Sequence, residues 1–183
     1  MYSGFWARLK KPIVGLAPMD GVTDAPMRFI TAKYGEPDVT FTEFVSAEGI
    51  RAGATRLMRD FKFDESERPV VAQLFGRDPE AFFVVAQKVA ELGFDGIDIN
   101  MGCPSKNVAD KGAGAGLIET PELAGKIIEA VKKAVAGKIP VSVKTRIGIN
   151  GPDEDWWRFL AGQELAAVTM HGRTFKQLYQ GRA

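Results

Sequence analysis

Short β-branched runs alternate with longer helical stretches six times along the 183 residues. Each helical stretch opens on a capping residue or a proline, and most close on a glycine. This is the pattern of repeated βα units. The spacing predicts strands over Ile13–Met19, Val39–Ser46, Val70–Phe75, Gly96–Met101, Val141–Ile147 and Ala167–His171. Between them it predicts helices capped near Thr23 or Asp24 and stopped at Gly35, over Glu48–Phe61, from Asp78–Pro79 to Gly93, from Thr120–Pro121 to Gly137, and from near Asp153. In the fourth of these stretches Leu123, Ile127, Val131 and Val135 recur every fourth residue and should face a sheet.

Six such units fit an open doubly wound sheet or most of a (β/α)8 barrel of about 250 residues. An open sheet should carry a glycine-rich nucleotide turn after its first strand. That turn reads Ala17-Pro18-Met19-Asp20-Gly21. Gly112-Ala113-Gly114-Ala115-Gly116 lies some ten residues past its strand and only superficially resembles a dinucleotide fingerprint. The fold expected is therefore α/β of the TIM-barrel type, here an incomplete barrel of about six βα units. Strands one and six would be its unpaired edges.

Composition narrows the function. The 24 Lys and Arg against 23 Asp and Glu give a net charge of +1, so strong bulk attraction to polyanions is not expected. One cysteine and one histidine cannot assemble the common zinc frameworks or an internal disulfide, so no metal is expected. No apolar run reaches the roughly 18 to 20 residues of a membrane span, and the amino terminus lacks the pattern of a secretory signal. A cytoplasmic protein without a membrane partner is expected.

Polar residues stand at the carboxyl ends of strands where central strands are otherwise apolar: Gln73, Asn100, Lys144 and His171. Alternation puts Ser142, Lys144 and Arg146 on one face of strand five, and Thr169, His171 and Arg173 on one face of strand six. Taken singly, each has an ordinary structural reading. Gln73 can pair with loop backbone, Lys144 with Asp98 or Glu43, and Cys103 can be a small buried apolar residue. Together at the rim where barrels place their active sites, they point to an anionic or strongly polar ligand. Between strand four and the next helix, the glycine-rich stretch Cys103–Gly116 is long for a compact fold and is expected to be a functional loop, closing over a substrate on Gly112, Gly114 and Gly116.

The runs APMDGVTDAPMR (Ala17–Arg28), DINMGCPS (Asp98–Ser105), VKTRIG (Val143–Gly148) and MHGRT (Met170–Thr174), with QLFG (Gln73–Gly76) between them, resemble the tRNA-dihydrouridine synthases. The resemblance implies an FMN-dependent barrel that reduces the 5,6 double bond of uridines in tRNA, NADPH first reducing the flavin. It implies Cys103 as proton donor, and Pro18, Met19, Asp20, Gln73, Asn100, Lys144 and His171 around the flavin. Asn100, Lys106, Arg146 and Arg173 are expected at the substrate, with Lys111 and Lys176 near the same rim. The implied full-length enzyme has two further strands and a helical tRNA-binding domain, and is expected to be a monomer. Residues 1–183 are accordingly expected to be its amino-terminal part, with weak FMN binding because the loops after strands seven and eight usually hold the phosphate. The competing readings are another FMN barrel acting on a free pyrimidine, of dihydroorotate or dihydropyrimidine dehydrogenase type, and a non-catalytic RNA-binding fragment.

Overall fold

A computed structural model describes residues 4–183. Six parallel strands run side by side in sequence order, β1 (Gly15–Leu16), β2 (Val39–Ser46), β3 (Val70–Phe75), β4 (Gly96–Met101), β5 (Val141–Arg146) and β6 (Ala167–His171), with β1 and β6 as the edges. Helices α1 (Ala25–Gly35), α2 (Ala47–Arg51), α3 (Pro79–Glu91), α4 (Lys106–Ala109), α5 (Pro121–Val135) and α6 (Glu154–Ala161) lie in the connections. The sheet is a half-barrel. No helix among the described residues is long and apolar enough to cross a membrane.

Local chemistry sets the helix starts. Asp24, Asp78 and Asp153 each accept a main-chain N–H of the first turn, and α1, α3 and α5 place a proline in that turn. The outer face of the sheet, including Val70, Ala72, Leu74, Ile97, Ile99, Met101 and Val143, buries against Phe82, Val85, Val89, Ile127, Val131 and Val135 of α3 and α5. The fourfold stripe of α5 thus packs as its spacing predicts, with Leu123 at its edge.

The inner face is layered by register. Phe41, Val71 and Gly96 stand in one row, and Phe5 from a single turn of 3-10 helix (Gly4–Arg8) covers it as the floor of the half-barrel. A β-carbon on Gly96 would come within 3.2 Å of the Phe5 ring, so the floor needs glycine there. Above it run the rows Phe44–Gln73–Asp98–Ser142–Ala167, then Asn100–Lys144–Thr169, then Arg146–His171. Polarity rises row by row toward the carboxyl ends of the strands.

Three expectations need correction. The first strand spans only Gly15–Leu16 because β2 alone pairs it, and Pro12 and Pro18 on either side have no N–H for a ladder. The helix expected over Glu48–Phe61 is α2 followed, after a turn at Gly53, by a 3-10 segment over Thr55–Phe61. The glycine-rich stretch after β4 is folded rather than free: it contains α4 and a 3-10 segment over Gly114–Glu119, with Ala115 and Leu117 in the core. A β-carbon on Gly114 would sit 2.9 Å from Val108 and 3.0 Å from the Cys103 carbonyl, and one on Gly116 would sit 2.7 Å from the Ala109 carbonyl. These glycines serve close packing of the loop on itself.

Candidate active site

The carboxyl ends of β1, β4, β5 and β6 surround a cavity of about 780 Å³. Pro18, Met19, Asp20, Asn100, Cys103, Lys144, Arg146 and His171 all line it, so eight residues expected at the site from the sequence meet in one place. Leu178 and Tyr179, which carry no sequence signal, close the side beyond β6. A second cavity of about 700 Å³ lies between β1 and β6 above Trp6, Val39 and Phe41, and the two share Ala17, Pro18 and Lys144.

Gln73 is the exception among the ring-side candidates. It has no exposed surface and does not line the cavity. Its Nε2 donates to Asp98 Oδ2 at 2.7 Å, and its Oε1 accepts from Asn100 Nδ2 at 3.0 Å. Asp98 Oδ1 accepts the Ser142 hydroxyl at 2.6 Å. At the other end, Asn100 Oδ1 accepts the main-chain N–H groups of Gly102 at 3.1 Å and Cys103 at 2.9 Å. A hydrogen-bonded chain thus runs from β5 through Asp98, Gln73 and Asn100 to the backbone that carries the thiol.

Burial pushes Asp98 up to about 6, against the pull of Ser142, Gln73 and the Lys144 charge. Burial also lowers Lys144, with Asp98 opposing and Arg146 adding to the drop. Lys144 forms no ion pair within 4 Å and no hydrogen bond among the described residues. Glu43 is not its partner, since it accepts the Gly21 N–H at 2.6 Å. His171 is lowered by burial and then by Arg146, Lys144 and Arg173, which favours the neutral imidazole. Its Nδ1 is buried without a partner. The Cys103 thiol is raised, mainly by burial and further by Asp20, while the Ser105 amide and Arg146 pull the other way. A thiol so placed keeps its proton at neutral pH.

Both arginines expected at the substrate are committed to main-chain carbonyls. Arg146 donates to Gly102 at 2.9 Å, Thr174 at 2.9 Å and Leu178 at 3.0 Å, tying the loop after β4 to the loop after β6. Arg173 donates twice to Gly181, at 3.1 and 2.8 Å. Lys106, Lys111 and Lys176 are exposed, and neither they nor Arg173 line the cavity. Sequence reasoning also missed the buried pair beneath the first helix, where Arg28 Nε meets Glu67 Oε2 at 2.6 Å and Arg28 Nη1 donates to the Thr23 carbonyl.

Comparison with known proteins gives the chain a family. The family model for dihydrouridine synthases matches residues 15–183. A probable tRNA-dihydrouridine synthase of Staphylococcus aureus (strain COL) is 44% identical over 186 residues, covering 97% of this chain and 55% of the relative. The probable tRNA-dihydrouridine synthase 2 of Bacillus subtilis (strain 168) is 43% identical over 178 residues, covering 95% of this chain and 54% of the relative. The chain therefore spans about half the length of these curated relatives. Among solved structures, morphinone reductase superposes with a TM-score of 0.57 at 13% identity, covering 93% of this chain and 70% of that one, which shows a shared barrel fold. With a family match over nearly all its length and relatives well above the level of chance, this chain belongs to the dihydrouridine synthase family.

Proposed function

We propose that this chain is the ring-binding and proton-donating part of an oxidoreductase that converts uridine in tRNA to 5,6-dihydrouridine. One observation carries the reading: Cys103, Asn100, Lys144 and His171 share one cavity, and among the described residues the His171 Nδ1 is buried without a partner and Lys144 forms no ion pair. An imidazole nitrogen buried without a partner and a half-buried ammonium without an ion pair fit the polar edge of a flavin ring. FMN, reduced by NADPH, supplies the hydride that the side chains of this protein cannot.

The residues divide the remaining work. Lys144 would hold the polar edge of the flavin and offer a fixed positive charge to the charge that develops on uracil, without reorganisation at the moment of reaction. His171, neutral, offers one donor and one acceptor to the same edge. Pro18 and Met19 at the end of β1 form the apolar wall, with Asp20 beside them. Asn100 has one N–H beyond its bond to Gln73, free to meet a carbonyl of the ring or the uracil. When a hydride reaches uracil carbon 6, charge develops toward carbon 5 and oxygen 4, and the Cys103 Sγ proton passes to carbon 5. The thiolate left behind is reprotonated from solvent. Gln73 acts through Asn100, and Arg146 holds the loop that carries Cys103 against the loop after β6. Arg173 and the exposed Lys106, Lys111 and Lys176 would meet tRNA phosphates.

The test is the full-length protein with unmodified tRNA transcript, FMN and NADPH, read by the mass gain of two hydrogens at uridine. Turnover of tRNA that disappears in Cys103→Ala is expected, with affinity falling steeply as salt rises. Reduction of free uracil with no reaction on tRNA would overturn the proposal in favour of a free-pyrimidine dehydrogenase.

A further inference from the structure

Asp98 occupies a place that packing does not require. A carboxylate with no exposed surface, between β3 and β5, faces Gln73 of β3, Ser142 of β5 and, through space, Lys144 of β5, which is the one titratable group acting on it. Its neighbours on the same strand but on the opposite face, Ile97 and Ile99, are core residues. An apolar side chain at 98 would leave the Gln73 amide and the Ser142 hydroxyl without their partners.

The hydrogen bonds have a direction. Gly102 and Cys103 present N–H donors, so the amide of Asn100 must turn its oxygen to them and its nitrogen to Gln73. Gln73 must then turn its oxygen to Asn100 and its nitrogen away, and that nitrogen needs an acceptor, which residue 98 supplies. A carboxylate oxygen accepts, as would the oxygen of an amide whose nitrogen is held by Ser142. Amides have two nearly isosteric orientations, and the acceptor at the root of the chain removes one of them at every link.

We propose that Asp98 is a positioning residue which, through Gln73 and Asn100, fixes the orientation of the amide chain and thereby the main chain that holds the Cys103 thiol in the cavity. It rests on the reading of Cys103 as proton donor only for its consequence in turnover. The placement of the thiol is testable without flavin, NADPH or tRNA, so failure of one reading is distinguishable from failure of the other.

Cys103 is the only cysteine in the 183 residues, which makes its alkylation by iodoacetamide a direct readout of that thiol. Rates are measured against pH on the 183-residue chain. Asp98→Ala leaves Gln73 free to invert and releases the Gly102 and Cys103 amides. With the thiol less buried, the midpoint of the profile should move to lower pH and the rate at pH 7.5 should rise about tenfold, the effect of losing one or two hydrogen bonds. Gln73→Met, which cuts the chain one link later, should give the same shift. Asp98→Asn should restore the wild-type profile: its oxygen can still accept from Gln73, and the Ser142 hydroxyl can accept from its nitrogen while donating to the Ile97 carbonyl, now 3.5 Å away. Ile127→Ala, a core deletion on α5 remote from the chain of amides, should destabilise the fold and leave the profile unchanged. The proposal is overturned if Gln73→Met and Asp98→Ala both keep the wild-type profile, if Asp98→Asn shifts it as Asp98→Ala does, or if Ile127→Ala shifts it equally.

Discussion

Replacing Asp98 by Asn should make this protein more stable at neutral pH, although it removes a charge from directly beneath the candidate site. The folded protein holds this carboxyl at about 6, against an ordinary value of 3.8, because burial outweighs the help of Ser142, Gln73 and Lys144. A folded value above the unfolded one means that the folded state prefers the protonated carboxyl. The corresponding stability is fully present below about pH 4 and is lost as pH rises through 6. At ~1.36 kcal/mol for each pH unit between the two values, the loss at pH 7.5 is ~3 kcal/mol. An Asn side chain copies the protonated carboxyl in shape and does not titrate, so it should recover most of this. For a domain of this length that is roughly 6–12 °C in melting temperature.

The assay is urea unfolding of both proteins at pH 4, 5, 6 and 7.5, with thermal melts alongside. The two should be nearly equal at pH 4 and diverge as pH rises, with the variant ahead. Equal stability at pH 7.5, or a difference that does not change between pH 4 and 7.5, would refute the reasoning, since only a titrating carboxyl in the wild type can produce a gap that opens with pH. A wild-type protein that keeps the charge despite this cost gains in Lys144, whose own protonated form is disfavoured by burial and supported by Asp98.

Three further outcomes are expected. In the full-length protein Cys103→Ala should lower dihydrouridine formation by ~10²–10⁴-fold, the range for losing a positioned acid, while the bound-flavin absorbance is retained; mass spectrometry of tRNA and a visible spectrum check the two halves. Arg28→Met leaves Glu67 charged and buried at 1% side-chain exposure and should cost ~3–5 kcal/mol in urea unfolding, most of it recovered in Arg28→Met with Glu67→Leu. Arg146→Met removes three bonds to carbonyls on two loops and should cost ~2–4 kcal/mol, with amide exchange accelerating over residues 174–178 and little change in α5.

Strands β2, β3, β4 and β6 follow their predicted bounds because each combines β-branched composition with a clear stop, and the helix starts follow from Asp caps and prolines that act within one turn. What failed was information that is not local. The length of β1 depends on having one neighbour rather than two, and the packing of residues 103–116 depends on Val108, Ala115 and Leu117 finding the core. The site divides in the same way. Period-two alternation exposed the face of Ser142, Lys144 and Arg146, and the resemblance in motifs supplied Cys103. The use of Gln73 was not legible, because it depends on β3, β4 and β5 being in a register that sets Gln73, Asp98 and Ser142 side by side. Nothing in the single strands specifies that alignment.

That register also marks where the protein ends and its ligand should begin. Gln73, Asp98 and Ser142, side by side in one row, each have a partner from within the fold, and none of the three lines the cavity. One row higher, Lys144 has no ion pair among the described residues, and in the row above that the His171 Nδ1 is buried with no partner among them. Leaving such groups unsatisfied is costly, whereas the row beneath shows that the same strands can satisfy polar groups fully when the fold itself is the only partner. The change from complete to incomplete satisfaction occurs within one or two rows, two to four residues along β5 and β6, at the carboxyl ends of the strands. A site assembled in this way is pre-organised by its lower row and open to a ligand from above: Asp98 belongs to the scaffold beneath the cavity, and Lys144, His171 and Cys103 belong to its lining, where the proposed function sets the chemistry.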